Sequence, residues 1–325
     1  MMKKLTIVVV ALLAGLLVVA GTLFVLARLK PVMGEEARRS APGSFVRLSH
    51  GVVHYLDEGP PSGEPLLLIH GSTVPAVIWD KTVGSLNAAG YRTIRADLYG
   101  RGYSDRPRIK YDYDVFARQN LELLDSLGIT GSFHIGGISL GGAIAVVATG
   151  MVPQRVASLL LVDPAGPFLD DTGAEERLMR LSRWARAVME EDSPQASLRR
   201  EQLAPLMEQV RTQMKYRGSE YVSISFMRNR NQHRLREAWQ GVGRLPIPSL
   251  LVWGEDDPII PVRFAQDVVA LIPGIELHII PGGGHAPHYE QPGVVNMLIV
   301  DFMQKVARGQ GGQSAQTERN TSVER

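Results

Sequence analysis

Short apolar runs recur along this 325-residue chain, and each ends at a turn residue. They are rich in valine, leucine and isoleucine and stop at a glycine, an aspartate or a proline, which predicts buried β-strands. The runs lie at residues 65–69, 91–96, 133–135, 158–162, 250–253 and 277–280. The loops that follow these strands are therefore the first place to look for chemistry.

Longer segments with helical character stand between some of these strands. Residues 142–148 are almost entirely apolar and predict a buried helix. Residues 174–191, 197–217 and 221–240 predict three more helices, with breaks at Ser193-Pro194 and Gly218-Ser219. We expect most of their apolar side chains to pack internally, and the methionines among them to suit a flexible hydrophobic ligand. These side chains are Met179, Leu181, Trp184, Met189, Leu203, Met207, Met214, Phe226, Met227 and Trp239.

Residues 5–27 form an uninterrupted apolar run without a charged side chain. A membrane-spanning helix needs ~20 such residues, whereas the apolar core of a cleaved signal peptide has only ~7–15. We therefore expect a single-pass membrane protein of the bacterial inner membrane, with a signal peptide cleaved after residues 25–27 as the alternative. Basic residues flank both ends of the run, so the positive-inside rule leaves its orientation open.

The pentapeptide Gly137-Ile138-Ser139-Leu140-Gly141 joins a predicted strand to a predicted helix. Strand, G-x-S-x-G and helix is the context of a nucleophile elbow, a tight turn that exposes the serine hydroxyl at the end of a sheet. Glycine is needed beside the serine because a Cβ atom there would collide with the turn. The following helix N-terminus favours negative charge. Ser139 is the candidate nucleophile, and an incidental serine in a glycine-rich turn is the alternative.

A serine nucleophile needs a base, and the base needs an acid that orients it. A turn after the strand at 250–253 contains Asp256 and Asp257, and a glycine-rich loop after the last strand contains His285 and His288. The resulting order of serine, aspartate and histidine is the one that this class of elbow expects. Each loop offers two candidates.

Two upstream loops extend the pattern. The strand at 65–69 runs into His70-Gly71-Ser72, and the strand at 91–96 runs into the sequence D-L-Y-G-R-G-Y-S. Together with the elbow and the two downstream loops, these motifs resemble the α/β-hydrolase fold superfamily, over roughly residues 45–308. The chain is similar both to membrane-anchored monoacylglycerol lipase-like members and to meta-cleavage-product hydrolase-like members.

This resemblance implies the fold class. The expected architecture is α/β, a mostly parallel central sheet with helices on both faces. A helical cap, at about residues 165–245, is inserted after the sixth strand, and the transmembrane helix precedes the domain.

The resemblance also implies a role for each site residue. Ser139 would attack a carbonyl carbon, His285 would take the serine proton, and Asp257 would orient the imidazole. The backbone N–H groups of Ser72 and Leu140 would form an oxyanion hole, in which each donor is worth about 3–4 kcal/mol. Ser72 departs from many relatives, which have an aromatic residue, an asparagine or a glycine at this position.

The family spacing favours Asp257 over Asp256 and His285 over His288. The other titratable groups near these motifs or in strands are expected to be structural. They are His50, His54, His70, Asp97, His134 and His278.

Composition narrows the chemistry further. The chain has no cysteine, which excludes thiolate and zinc–cysteine sites, and no histidine or carboxylate group has metal-ligand spacing, so neither a metal nor a cofactor is expected. A net charge of +2 gives no reason to expect a nucleic-acid partner. A serine at the elbow favours acyl transfer over epoxide opening or dehalogenation, which need a carboxylate nucleophile.

These observations divide the chain into four parts: a membrane anchor at 1–30, a linker at 31–44, the α/β-hydrolase domain at 45–308 and a disordered tail at 309–325. The expected function is a serine hydrolase of hydrophobic carboxylic esters such as monoacylglycerols, with a small hydrophobic ester or acyl compound as substrate. A C–C bond hydrolase of meta-ring-fission products is the alternative within the same chemistry. A catalytically silent binding protein is the alternative from another class. The oligomeric state stays open.

Overall fold

The structure is a computed structural model, which describes residues 15, 18, 21, 22, 28–169 and 194–309. These residues form an eight-stranded sheet with the order β1-β2-β4-β3-β5-β6-β7-β8. The strands are β1 (Ser44–Leu48), β2 (Gly51–Glu58), β3 (Glu64–Ile69), β4 (Tyr91–Ala96), β5 (Phe133–Ile138), β6 (Val156–Val162), β7 (Ser249–Gly254) and β8 (Glu276–Ile280). The β1–β2 and β2–β4 pairs are antiparallel, and every other neighbouring pair is parallel.

Helices cover both faces of this sheet. Those in the described residues are α1 (Glu35–Arg38), α2 (Asp80–Ala88), α3 (Tyr113–Ser126), α4 (Leu140–Met151), α5 (Pro194–Met214), α6 (Ser219–Asn229), α7 (Gln232–Val242), α8 (Ala265–Leu271), α9 (Pro287–Glu290) and α10 (Pro292–Ala307). The predicted mostly parallel α/β architecture is confirmed.

Strand β3 shows how one apolar run builds two cores. Leu67 and Ile69 pack in a cluster with side chains of α3, α4 and α7, whereas Leu66 and Leu68 pack in a second cluster with side chains of α2 and α10. Successive side chains of a strand point to opposite faces, so a strand covered on both sides must be apolar throughout. This explains why the central strands are continuous rather than alternating hydrophobic runs.

The cap follows β6, the sixth strand, and its described part consists of α5, α6 and α7. The predicted helix at 197–217 corresponds to α5. The predicted helix at 221–240 is wrong as a single unit: the backbone leaves the helical conformation at Arg230 and is extended at Asn231, whose side chain caps α7 by accepting from the N–H of Arg234. The predicted helix at 174–191 lies outside the described residues.

The segment before β1 is packed rather than free. The predicted linker at 31–44 contains α1, and its Met33 is buried. Arg38 of this segment forms an ion pair with Asp105 and donates a hydrogen bond to the carbonyl oxygen of Tyr103. These long-range contacts fix the segment to the domain.

The predicted membrane helix at 5–27 lies mostly outside the described residues, and so does the predicted disordered tail beyond Gly309. Within the part of the chain that the structure describes, no helix combines the length and the apolar character that crossing a membrane requires.

Candidate active site

Ser139 stands at the turn between β5 and α4 with a backbone that ordinary residues avoid. Its φ is 55° and its ψ is −122°, and it is half-buried. Positive φ is costly for a residue with a side chain and is found mainly where surrounding contacts enforce it. Tight packing also explains the flanking glycines, since a Cβ atom at Gly137 would lie 2.2 Å from the carbonyl oxygen of Gly141, and one at Gly141 would lie 2.2 Å from that of Ile69.

Hydrogen bonds to the end of β6 hold this elbow. The N–H of Ser139 donates to the carbonyl oxygen of Val162 at 3.0 Å, and the carbonyl oxygen of Ser139 accepts from the N–H of Ala165 at 2.9 Å. The nucleophile candidate is therefore fixed by the two residues that flank Asp163 and Pro164.

The candidate acid and base are in direct contact. Oδ2 of Asp257 lies 2.7 Å from Nδ1 of His285, while Oδ1 of Asp257 accepts from the N–H groups of Ile259 and Ile260 at 2.7 and 2.9 Å. Asp257 carries no exposed side-chain surface, whereas His285 is 18 % exposed. A proton on Nδ1 directed at the carboxylate leaves Nε2 of His285 as the acceptor, which is the form a general base requires.

The rival residues have other environments. Asp256 is exposed on the turn. His288 is fully buried with its ring centroid 4.4 Å from that of Trp79, and burial lowers its pKa to about 3. The structure thus brings Asp257 to His285 and puts Asp256 and His288 elsewhere.

The His70-Gly71-Ser72 turn lies against the elbow, since a Cβ atom at Gly71 would be 3.3 Å from the Cβ of Ser139. Nε2 of the buried His70 accepts from the N–H of Leu98 at 2.9 Å, so Nδ1 carries the proton toward the Gly71 carbonyl. Burial lowers the pKa of His70 to about 4, which makes it a neutral, structural residue. The N–H of Leu140 opens α4, where the helix offers no acceptor.

Two side chains that were not predicted as site residues bind carbonyl oxygens of that turn. Arg101 donates to the carbonyl oxygen of Ser72, and Gln213 of the cap helix α5 donates to that of Thr73. Arg101 also reaches α6 through Ser223 Oγ at 2.9 Å. The backbone next to the predicted oxyanion donor is therefore tied to the cap.

Asp163 is a further buried acid at this site, directly after β6. Its backbone has φ 39°, and its Oδ1 accepts from the N–H of Gly254 at 2.9 Å. Polar atoms of Asp163, Asp257 and His285 lie within 4.8 Å of one another. Desolvation, and then the charge of Asp257, raises the pKa of Asp163 well above its ordinary value. A bound cation could use the same atoms, but it would displace the Asp257–His285 hydrogen bond.

Glu290 braces the loop that carries His285. Its Oε2 accepts from the N–H of Gly284 at 2.8 Å and its Oε1 from the N–H of Ala286 at 3.1 Å, so one carboxylate binds the amides on both sides of the histidine. The position of Glu290 five residues after His285 could be seen in the sequence, but this spacing alone does not predict the two hydrogen bonds to the amides of Gly284 and Ala286.

The remaining titratable groups named from the sequence have structural contacts. His54 Nδ1 lies 2.8 Å from Asp97, which also accepts from the N–H of Tyr103 and so shapes its loop. His134 lies between Ser158 and Glu64. His278 pairs with Glu276, whereas His50 lies in the turn between β1 and β2 rather than in a strand.

Comparisons with known proteins identify the family of this fold. The family model described as alpha/beta hydrolase fold matches residues 64–292. Lipase 1 of Psychrobacter immobilis is 28% identical over 252 residues, covering 73% of this chain and 75% of the lipase. The 2-hydroxy-6-oxo-6-phenylhexa-2,4-dienoate hydrolase of Burkholderia cepacia is 28% identical over 294 residues, covering 82% of this chain and 98% of that hydrolase. The structure of a thermophilic esterase of Thermogutta terrifontis superposes with a TM-score of 0.60 at 24% identity, covering 82% of this chain and 96% of the esterase.

Proposed function

The chain belongs to the α/β-hydrolase fold family and is a hydrolase, and we propose that it cleaves hydrophobic carboxylic esters through Ser139, His285 and Asp257. The observation that carries the proposal is the buried Asp257–His285 hydrogen bond of 2.7 Å, two strands along the parallel sheet from a serine held at positive φ. The carboxyl ends of parallel strands share one edge, so the loops after β5, β7 and β8 converge there.

The proposed reaction proceeds through an acyl-enzyme. Nε2 of His285 takes the proton of Ser139 Oγ as the oxygen attacks the ester carbonyl carbon, and Asp257 stabilises the imidazolium that forms. The N–H groups of Leu140 and Ser72 donate to the developing oxyanion. The alcohol leaves with the proton of His285, and a water activated by the same nitrogen then releases the acid and restores Ser139.

Apolar side chains beside the site support a hydrophobic acyl group. Leu206 of the cap helix α5 lies in the same buried cluster as Ile138 and Ala286, which are the chain neighbours of Ser139 and His285. Removal of apolar substrate surface from water contributes roughly 25 cal/mol per Å² of binding free energy. Fatty acyl esters such as monoacylglycerols fit this surface chemistry.

A second candidate, C–C bond cleavage of meta-ring-fission products, is favoured by the relative from Burkholderia cepacia, whose name describes a dienoate hydrolase. Both reactions use the same serine, histidine and aspartate order. A catalytically silent binding protein would show neither.

We also propose that residues 5–27 anchor the enzyme in a membrane, where hydrophobic esters concentrate. The support is the uncharged apolar run in the sequence.

The test has two parts. A fluorophosphonate probe should label the wild-type chain at Ser139 and should not label Ser139→Ala; absence of labelling would favour the binding-protein alternative. Turnover of p-nitrophenyl esters of increasing chain length, of a monoacylglycerol and of a dienoate ring-fission product then separates the two reactions. Higher kcat/KM for the dienoate would overturn the ester assignment.

A further inference from the structure

The outward surface of the cap helices α5 and α6 is both apolar and basic. On α5 it presents Met207, Arg211 and Met214, with Lys215 directly after the helix, and on α6 it presents Ile224, Met227 and Arg228; we call this surface the cap face. The opposite side of α6 is buried through Val222 and Ser225. Met227 is 69% exposed, Ile224 50% and Met214 48%. Met214 and Met227 are thus exceptions to the expectation that most of the named apolar side chains of the cap pack internally.

The cap helices carry an excess of positive charge, and on the cap face Arg211 lies 3.3 Å from the exposed Glu208. Residues 194–245 contain ten arginines and lysines and four glutamates, a formal charge of +6 in a chain whose total is +2. The preceding residues 170–193 are net acidic, so the excess belongs to the helices α5 to α7 and not to the whole insertion.

The segment that follows the apolar run at 5–27 is fixed at one end of the cap face. Lys30 forms an ion pair with Glu220, and the N–H of Arg217 donates to the carbonyl oxygen of Pro31 at 2.8 Å. Glu220, Ile224 and Met227 lie at successive turns on one side of α6. The contacts of this segment therefore bring its own exposed apolar side chains, Leu29 at 74% and Val32 at 61%, next to the cap face.

We propose that the cap face binds the surface of a lipid bilayer with anionic headgroups. Exposed methionine and isoleucine can enter the boundary between headgroups and acyl chains, while the arginines and lysines around them bind lipid phosphates. The chain outside the described residues supports this occupant, because a 23-residue uncharged run ends where the segment meets α6.

The location of the cap face gives it a consequence for catalysis. The inner side of α6 binds Arg101 through the Ser219 carbonyl and Ser223 Oγ, and Arg101 binds the Ser72 carbonyl. The helix α6 thus contacts Arg101, which binds the loop beside Ser139, on one side and faces the proposed bilayer on the other. The proposal concerns binding and does not depend on which bond the enzyme cleaves.

A matched control surface exists on α10. Met297 is 67% exposed, almost the same as Met227, and its neighbour Val294 is 45% exposed. The helix α10 lacks the excess of basic residues that the cap helices have. The described residues that follow the apolar run form ion pairs with Glu220 of α6 and with Asp105. An exposed methionine there should stay in water.

The natural absence of cysteine allows single-site labelling. Full-length Met227→Cys and Met297→Cys, each labelled with the fluorophore NBD, are reconstituted into vesicles of phosphatidylcholine and phosphatidylglycerol in equal amounts, or of phosphatidylcholine alone. We expect a blue shift and a several-fold rise in emission at position 227 in the anionic vesicles, with quenching by nitroxide-labelled lipid. The probe at 297 should show neither change.

Charge dependence is tested in the same system. The double variant Arg211→Gln, Lys215→Gln should weaken the insertion equilibrium at position 227 by about 20–30-fold, since each basic side chain near an anionic surface contributes about five-fold. Equal, water-exposed emission at 227 and 297 in both vesicle types would overturn the proposal. Shielding at 227 without quenching by labelled lipid would also overturn it and would indicate contact with a second protein copy.

Discussion

Asp163 and Asp257 lie at the ends of neighbouring strands and turn two buried carboxyl groups toward one histidine. Two adjacent buried carboxylates cannot both ionise at low cost. Asp257 has two backbone N–H groups and His285 as hydrogen-bond partners, whereas Asp163 has the N–H of Gly254. Oδ2 of Asp163 is buried without a hydrogen-bond partner among the described residues, which suits a neutral carboxyl group. Desolvation, together with the nearby Asp257, therefore raises the pKa of Asp163 well above its ordinary value.

The first prediction concerns stability against pH. The pKa of Asp163 is raised in the folded state, so the group binds more protons when folded than when unfolded, and stability is lost as pH rises above the ordinary aspartate range toward the raised value. Asp163→Asn removes this titration. The Tm of the variant minus that of the wild type should increase with pH over this window. Parallel Tm curves from scanning calorimetry would contradict a raised pKa of Asp163.

The second prediction separates the two candidate acids. Asp257→Asn should lower kcat by about 10⁴-fold, because an amide cannot hold the imidazole in the required tautomer. Asp256→Asn, an isosteric change of the exposed neighbour, should stay within about two-fold of wild type because it touches neither His285 nor the core. Steady-state kinetics on a soluble ester measure both, and a larger loss at Asp256 would mean that the acid is misassigned.

The third prediction concerns Glu290, which we regard as a positioning residue. Glu290→Gln keeps the shape but replaces one of the two acceptor oxygens by an NH₂ group, so one amide beside His285 loses its partner. We expect kcat to fall by about 10-fold or more, as one buried hydrogen bond is worth roughly 1–3 kcal/mol, with KM nearly unchanged. A change confined to Tm, with kcat unaltered, would leave Glu290 a purely structural role.

The fourth prediction tests the membrane anchor. The full chain should remain with membranes through high-salt and carbonate washes, because a 23-residue apolar run is costly to keep in water. Deletion of residues 1–27 retains the Lys30–Glu220 ion pair and should leave activity on a short soluble ester unchanged. Its activity on a membrane-resident ester should fall, because the local substrate concentration is lost. Release of the full chain by carbonate would show that the run does not span a bilayer.

Much of the fold and the three main candidate residues could be predicted because they follow local rules. Apolar runs mark strands covered on both faces, and the loops that follow parallel strands meet at one edge. Ser139, Asp257 and His285 each lie in such a loop, within motifs that flanking glycines or a proline make visible. Contacts between distant parts of the chain have no comparable local sequence motif, so they could not be predicted. In the sequence, Asp163 is a single aspartate that follows a strand. Its place in the site depends on its proximity to Asp257 and His285, which only the structure shows.

The cap illustrates the same limit. The break between α6 and α7 depends on the Asn231 cap, which the helical pattern across it concealed. The sequence predicts a linker at 31–44, whereas in the structure the Arg38–Asp105 ion pair fixes this segment to a loop more than sixty residues away. The exposure of Met207, Met214 and Met227 could not be inferred either, because helical spacing does not state which side of a cap faces the domain.

The most direct measurement of the central claim is intact-protein and peptide mass spectrometry of the acyl-enzyme, together with the turnover of Ser139→Ala. Quenching with acid during turnover of a medium-chain ester should trap one acyl group on the peptide containing Ser139. The alanine variant should fold normally, carry no acyl group and lose about 10⁴–10⁶-fold in kcat. Acylation of another residue, or retention of a tenth of the wild-type activity by Ser139→Ala, would contradict the account.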